Sequence, residues 1–164
     1  MTSAFATISA MPDFRDRLLA GFDYDLWANE RWLSAVSKFQ GQHRAKGALQ
    51  HIWLAQVAWY NRINNIDADP FEDHKDQQAD TEVLKESNQD WKSFLQSADL
   101  ESTHVVPRGE REYRFCVADM AHHVLNHGTY HRGHLRGLAQ AEGWDDFQET
   151  DYSAWLRETG QAEV

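Results

Sequence analysis

Residues 121–134 read AHHVLNHGTYHRGH and hold five of the nine histidines in the chain: His122, His123, His127, His131 and His134. The stretch lies inside a helical pattern that runs from about Val117 to Glu142 and stops at Gly143, a residue suited to a left-handed helix end. A step of four residues advances about 40° around a helix and about 6 Å along it. His123, His127 and His131 therefore form one stripe, with His134 near its edge and His122 pointing elsewhere. Adjacent members of the stripe can share one metal ion, each imidazole nitrogen about 2.0 Å from it. His123 and His131 are separated by about 12 Å along the axis, too far for all three to meet one ion. A site built on this helix uses His127 with either His123 or His131.

Working outward, three more segments carry helical period. One spans about 12–39, with Phe14, Leu18, Phe22, Leu26, Asn29, Leu33 and Val36 at steps of three or four, Pro12 in its first turn and Gly41 after its end. A second spans about 44–66, where Ala48, Ile52, Ala55, Trp59 and Ile63 share a face. The third spans about 81–98, with Asp80 placed to cap it and Leu84, Ser87, Trp91, Phe94 and Leu95 on one side. Residues 67–79 are polar, contain Pro70 and read as a loop. Between the third helix and the histidine helix, residues 103–107 and 112–115 flank Gly109 and alternate Tyr113 with Phe115, which predicts a short extended hairpin. The expected fold is all-α: a single-domain four-helix bundle with one hairpin-like insertion.

Composition narrows the function classes. The chain has 164 residues, 41% of them hydrophobic and 12% aromatic, with seven tryptophans, which excludes global disorder and provides for a real core. Its net charge of −10 repels polyanions, so nucleic-acid binding is not expected. The acidity is concentrated in residues 67–90 and 142–164, where a solvated surface accounts for it. No run approaches the ~20 apolar residues of a membrane span. The first residues lack the pattern of a secretory signal, and the single Cys116 cannot form an internal disulfide, so a cytoplasmic location is expected.

Two histidines make an incomplete site, and a third ligand is sought among His43, His51, His74 and His104. His74 sits in the acidic loop, His43 at a helix start and His104 in an extended segment. Only His51, amid LQHIWLAQVAW, lies within a helix where it can face the bundle interior. A lone inward histidine is more simply a hydrogen-bonded core residue, but several buried imidazoles without a shared purpose would leave polar groups unsatisfied. Other chemistries fit poorly. His127 and His131 have zincin spacing, yet Gly128 stands where the catalytic glutamate belongs. The Glu-x-x-His of a di-iron bundle occurs only as Glu101–His104, outside the core helices. Trp27, Trp53, Trp59 and Trp91 read as core, Cys116 as a small buried hydrophobe, and Arg132 as either an anion holder or a structural hydrogen-bond donor.

Four pieces together make the chain recognisable: Trp27-Ala28-Asn29-Glu30; Leu49-Gln50-His51-Ile52-Trp53 leading to Trp59; Asn126-His127-Gly128-Thr129-Tyr130-His131-Arg132-Gly133; and Thr150-Asp151-Tyr152. In this order they resemble the DinB/YfiT-like family of metal-dependent bundle proteins. The resemblance implies His51, His127 and His131 as ligands of one divalent ion, zinc or nickel. It leaves His123, Arg132, Asn29 and His134 as pocket or supporting residues; His134 stands where relatives often carry glutamine. It further implies a homodimer acting on a small-molecule substrate. The best-defined chemistry of such proteins is transfer or isomerisation with a low-molecular-weight bacterial thiol. Metal-assisted hydrolysis is the enzymatic alternative, and a non-catalytic metal- or small-molecule-binding protein of stress response is the rival from another class.

Overall fold

A computed structural model describes residues 13–36, 38, 42–144, 146 and 148–162. In chain order these form α1 (Phe14–Val36), α2 (Gln42–Ile63), α3 (Pro70–Asp73), α4 (Thr81–Ser97), β1 (Thr103–Arg108), β2 (Arg111–Cys116), α5 (Val117–Ala141) and α6 (Tyr152–Glu158). The long helices α1 and α2 each pack against both α4 and α5, giving the expected bundle. Pro12, Phe39 and Gly41, expected to bound the first helix, lie outside the described residues, as do residues 1–11.

Local chemistry explains several boundaries. The Asp80 carboxylate accepts from the N–H groups of Glu82 and Val83 and starts α4. Gly143 ends α5 at φ 73°, a left-handed conformation that favours glycine. In the antiparallel hairpin Arg108 pairs with Arg111, so Gly109 and Glu110 form a two-residue turn, and Gly109 supplies the positive φ of 61°. Cys116 is half-buried rather than a buried hydrophobe, and its sulfur accepts the Asp119 N–H at the start of α5. That N–H favours the thiolate, but burial and the carboxylates of Asp119 and Glu101 outweigh it and hold the thiol pKa above its ordinary value.

Two elements depart from expectation. Residues 67–79 are not all loop: Asp69 caps the one-turn α3 through the Phe71 N–H, and Pro70 occupies its first position. The acidic C-terminal stretch is not all solvated either. Its α6 buries Ala154 and Trp155, and Tyr152 meets the Tyr24 ring edge-on at 5.1 Å. Two expected core residues also move outward, since Phe14 is exposed and Trp27 is half-buried beneath the Arg31 guanidinium.

The core has two apolar halves. One gathers Trp32, Val36, Leu49, Ile52, Trp53, Leu84 and Leu135; the other gathers Leu18, Phe22, Trp59, Trp91, Leu95, Met120 and Val124. Along every long helix the switch from one half to the other passes through a central level. At that level sit the buried polar residues Asp25, Asn29, Gln56, Ser87, Asn88 and Arg132. The histidines of α5 occupy the same level on a neighbouring face.

Candidate metal centre

The α5 backbone presents His127 and His131 one turn apart, and α2 brings His51 against them. The ring centroids of His51 lie 5.0 Å from His127 and 4.5 Å from His131, and those of His127 and His131 lie 4.4 Å apart. One nitrogen from each ring lies within 4.8 Å of the others, and among the described residues no carboxylate or thiol joins the group. Nitrogens each about 2.0–2.1 Å from a tetrahedral zinc are about 3.3 Å apart, a contraction that side-chain rotation can supply. The donor set therefore fits a borderline divalent cation.

The electrostatics favour the same use. Burial, followed by the neighbouring His131, His51 and His123 rings, pushes the His127 pKa down to about 4. Burial also lowers His51, and burial together with His51 and His134 lowers His131. All three rings are consequently neutral at physiological pH, the form that ligates metal without first losing a proton. Half-burial keeps one side of the trio open. Phe71 of α3 approaches the His51 ring at 5.4 Å, and Tyr130 meets the His131 ring edge-on at 5.1 Å. Neither aromatic was among the expected site residues. Phe71 lay in the presumed loop, and Tyr130 is 73% exposed, so neither belongs to a buried stripe.

The remaining candidates go to separate places. His123 is exposed, 5.7 Å from the His127 ring and edge-on to Trp59 at 4.7 Å. His134 is exposed one turn beyond His131, and His122 is exposed too. His74 lies tilted against Trp53 at 5.3 Å and pairs with Gln77, while His104 is half-buried on β1. The side chain of His43 lies outside the described residues.

Arg132 points about 100° away from His131 around α5, into the bundle interior, where it meets the buried Asn29 of α1. Arg132 donates to Asp25 and, at 2.9 Å, to Asn29 Oδ1; Asn29 and Gln56 both donate to the other Asp25 oxygen, at 2.8 and 2.6 Å. Ser87 continues the chain to Gln56. Burial works against the Arg132 charge, but the Asp25 carboxylate and Tyr24 together raise its pKa and keep it a cation. Gly128 is what lets α1 come this close. A Cβ there would lie 2.4 Å from Asp25 Oδ1 and 3.0 Å from Arg132 Nη1. Within this heptad of α5, then, residues 127 and 131 serve the imidazole cluster while 128 and 132 serve the polar belt.

The comparisons agree with that geometry. The DinB family model matches residues 18–159. The chain belongs to the DinB family. It is also similar to Protein DinB of Bacillus subtilis (strain 168), at 21% identity over 168 positions that cover 89% of this chain and 95% of that one. No solved structure matches it significantly. In this DinB chain the family match takes in α2 and α5 entire, and so the whole three-histidine cluster. The described helices include none long and apolar enough to cross a membrane.

Proposed function

We propose that the protein is a metal-dependent enzyme in which His51, His127 and His131 hold one zinc or nickel ion, and that it performs transferase or isomerase chemistry with a low-molecular-weight thiol. The convergence of three neutral imidazoles, with no fourth protein donor in the group among the described residues, carries this reading. A structural zinc site closes its coordination with four protein ligands, whereas three leave room for an exchangeable water or substrate. When bound, a divalent ion supplies Lewis acidity that lowers the pKa of a coordinated thiol or water. The chain's own part is positional. His51 ties α2 to the α5 pair, so donor spacing follows helix packing. Phe71 and Tyr130 flank the open side, giving the sulfur-bearing end of a thiol apolar rings to lie against. A thiol activated in this way needs no protein general base, in keeping with the absence of a glutamate at Gly128.

Elemental analysis of protein purified without an affinity tag tests the site. About one ion per chain is expected in the parent, with most of it lost in His51→Ala and in His127→Ala, because removing one of three donors sharply lowers affinity. Metal retained in both variants, or negligible metal in the parent, would overturn the assignment. The metal-loaded protein is then incubated with a small thiol and a panel of carbon electrophiles while free thiol is followed. Consumption that His127→Ala abolishes supports the transferase reading; hydrolysis without thiol loss, or no turnover at all, replaces it with a hydrolase or a binding protein.

A further inference from the structure

Beside the triad, between α2, β2 and α5, runs a groove of about 380 Å³ bounded by Trp59, Phe115, Asp119, Met120 and His123. Its walls are rings and a thioether: Trp59 and Phe115 meet edge-on at 6.0 Å, and Met120 forms the floor with 1% of its surface exposed. Apolar side chains in a protein interior normally interdigitate and leave few voids larger than a water molecule. An opening of this size among such residues is within the range of small-ligand pockets. One lip is His123, whose ring lies 5.7 Å from that of His127, so the groove begins about one helical turn from the histidine cluster. Its lining holds one carboxylate, Asp119, and no lysine or arginine. A second cleft of about 280 Å³, where Phe71 reaches towards His51, has the opposite character, with Asn61, Arg62 and Asp69 in its walls.

We infer that the Trp59–Phe115–Met120 groove is a binding subsite for an uncharged, ring-sized apolar group, the part of the co-substrate that must be held while it reacts at the triad. This rests on the proposed function for its purpose, though not for its existence as a binding site. The carboxylate at its mouth selects against anions, and its aromatic walls and soft sulfur favour a planar ring over a flexible polar chain. Substrates in this class are neutral aromatic or alicyclic electrophiles rather than carboxylic acids.

Methionine-methyl NMR gives a direct readout. Met120 is one of three methionines, and the other two precede residue 12. In zinc-loaded protein carrying 13C-methyl methionine, 1-naphthylmethanol should shift the Met120 signal saturably. The isosteric anion 1-naphthoate should bind about tenfold more weakly because of Asp119. Asp119→Asn should narrow that gap, and Phe115→Ala should weaken the alcohol without changing the fold reported by far-UV circular dichroism. A Met120 signal that ignores the alcohol, equal binding of the anion, or indifference to Phe115→Ala overturns the subsite. Cobalt-substituted protein separates the two proposals. Broadening of the bound alcohol's protons places it beside the ion; binding without broadening overturns the link between groove and triad. Failure to take up cobalt, with the Met120 shift intact, removes the metal reading and leaves the groove.

Discussion

His131 and Arg132 are neighbours in the chain, yet their side chains enter regions that handle polarity in opposite ways. Arg132, 4% exposed, is enclosed with Asp25, Asn29 and Gln56; each hydrogen bond of its guanidinium ends on an oxygen of the protein, and its charge lies 5.3 Å over the Tyr24 ring. The belt is complete in itself. His131 is half-open and converges with His51 and His127 on a point to which none of them supplies a proton or a charge. Neutral nitrogens clustered in that way could hold a metal ion. The difference teaches how one helix carries two functions: a residue step of one moves a side chain about 100°, from a region whose chemistry is closed to one whose chemistry is waiting for a partner.

The severest way to test the distinction is to break the belt. Arg132→Met leaves the Asp25 carboxylate buried without its cation, and losing one partner of a buried pair costs about 3–5 kcal/mol. Urea denaturation of metal-free protein should show that loss. Asp25→Asn in the same chain should recover much of it, because the remaining groups are then neutral. A small effect from Arg132→Met alone would mean that the belt is not the closed network described. The triad responds differently. With metal at about 100 times its dissociation constant, binding stabilises a protein by about 2.7 kcal/mol. His127→Ala should abolish the metal-induced rise in Tm while leaving metal-free stability close to the parent's. A parent without a metal-induced rise, or a variant that keeps one, would remove the contrast between the two regions.

How much of each region can be read from sequence follows from the same contrast. The triad was half legible. Steps of four on one helix and a lone helical histidine on another name the participants, but His123–His127 and His127–His131 have identical spacing. Only the height at which α2 docks against α5 chooses between them, and that is a property of the whole interface. The hairpin was legible from Gly109, and the α4 start from Asp80. The belt was nearly invisible. Asp25 and Arg132 lie 107 residues apart, and an aspartate between Tyr24 and Leu26 looks like any solvated acid. The available clue was that Asp25 and Asn29 fall on the stripe of Leu18, Phe22, Trp32 and Val36, where two adjacent polar residues demand a partner. α6 escaped notice because seven acids mask a buried Trp155.

Gly128 sits where the two regions meet and gives a finer test. Gly128→Ala adds helix propensity, worth up to about 1 kcal/mol in favour of the variant on an isolated helix. Here its methyl would press on an Asp25 held by three hydrogen bonds rather than on a flexible chain end. Overpacking costs about 1–3 kcal/mol, so a net loss of stability is expected. Metal content should stay near the parent's, since the methyl faces the belt. A variant as stable as the parent would show that α1 and α5 can part without harm.

The smallest effect is the most specific. The His127 ring has a pKa pushed down to about 4 in the folded chain, against an ordinary value of 6.5. Between those values the unfolded chain binds a proton that the folded chain refuses, so ν_U exceeds ν_N and stability falls as pH falls. The penalty is absent above about pH 6.5, grows through the window and is complete near pH 4. His51 and His131, lowered in the same direction, add to it. Metal binding steepens the trend, because the same protons compete for the donor nitrogens. The belt contributes no such slope through Arg132, whose raised pKa keeps it charged throughout. Urea midpoints of chelator-treated protein from about pH 7.5 to about pH 4.5 should therefore decline less steeply in His127→Ala than in the parent. Parallel declines would mean that the imidazoles already share their surroundings with water, and that the triad is no more pre-set for a cation than any three surface histidines.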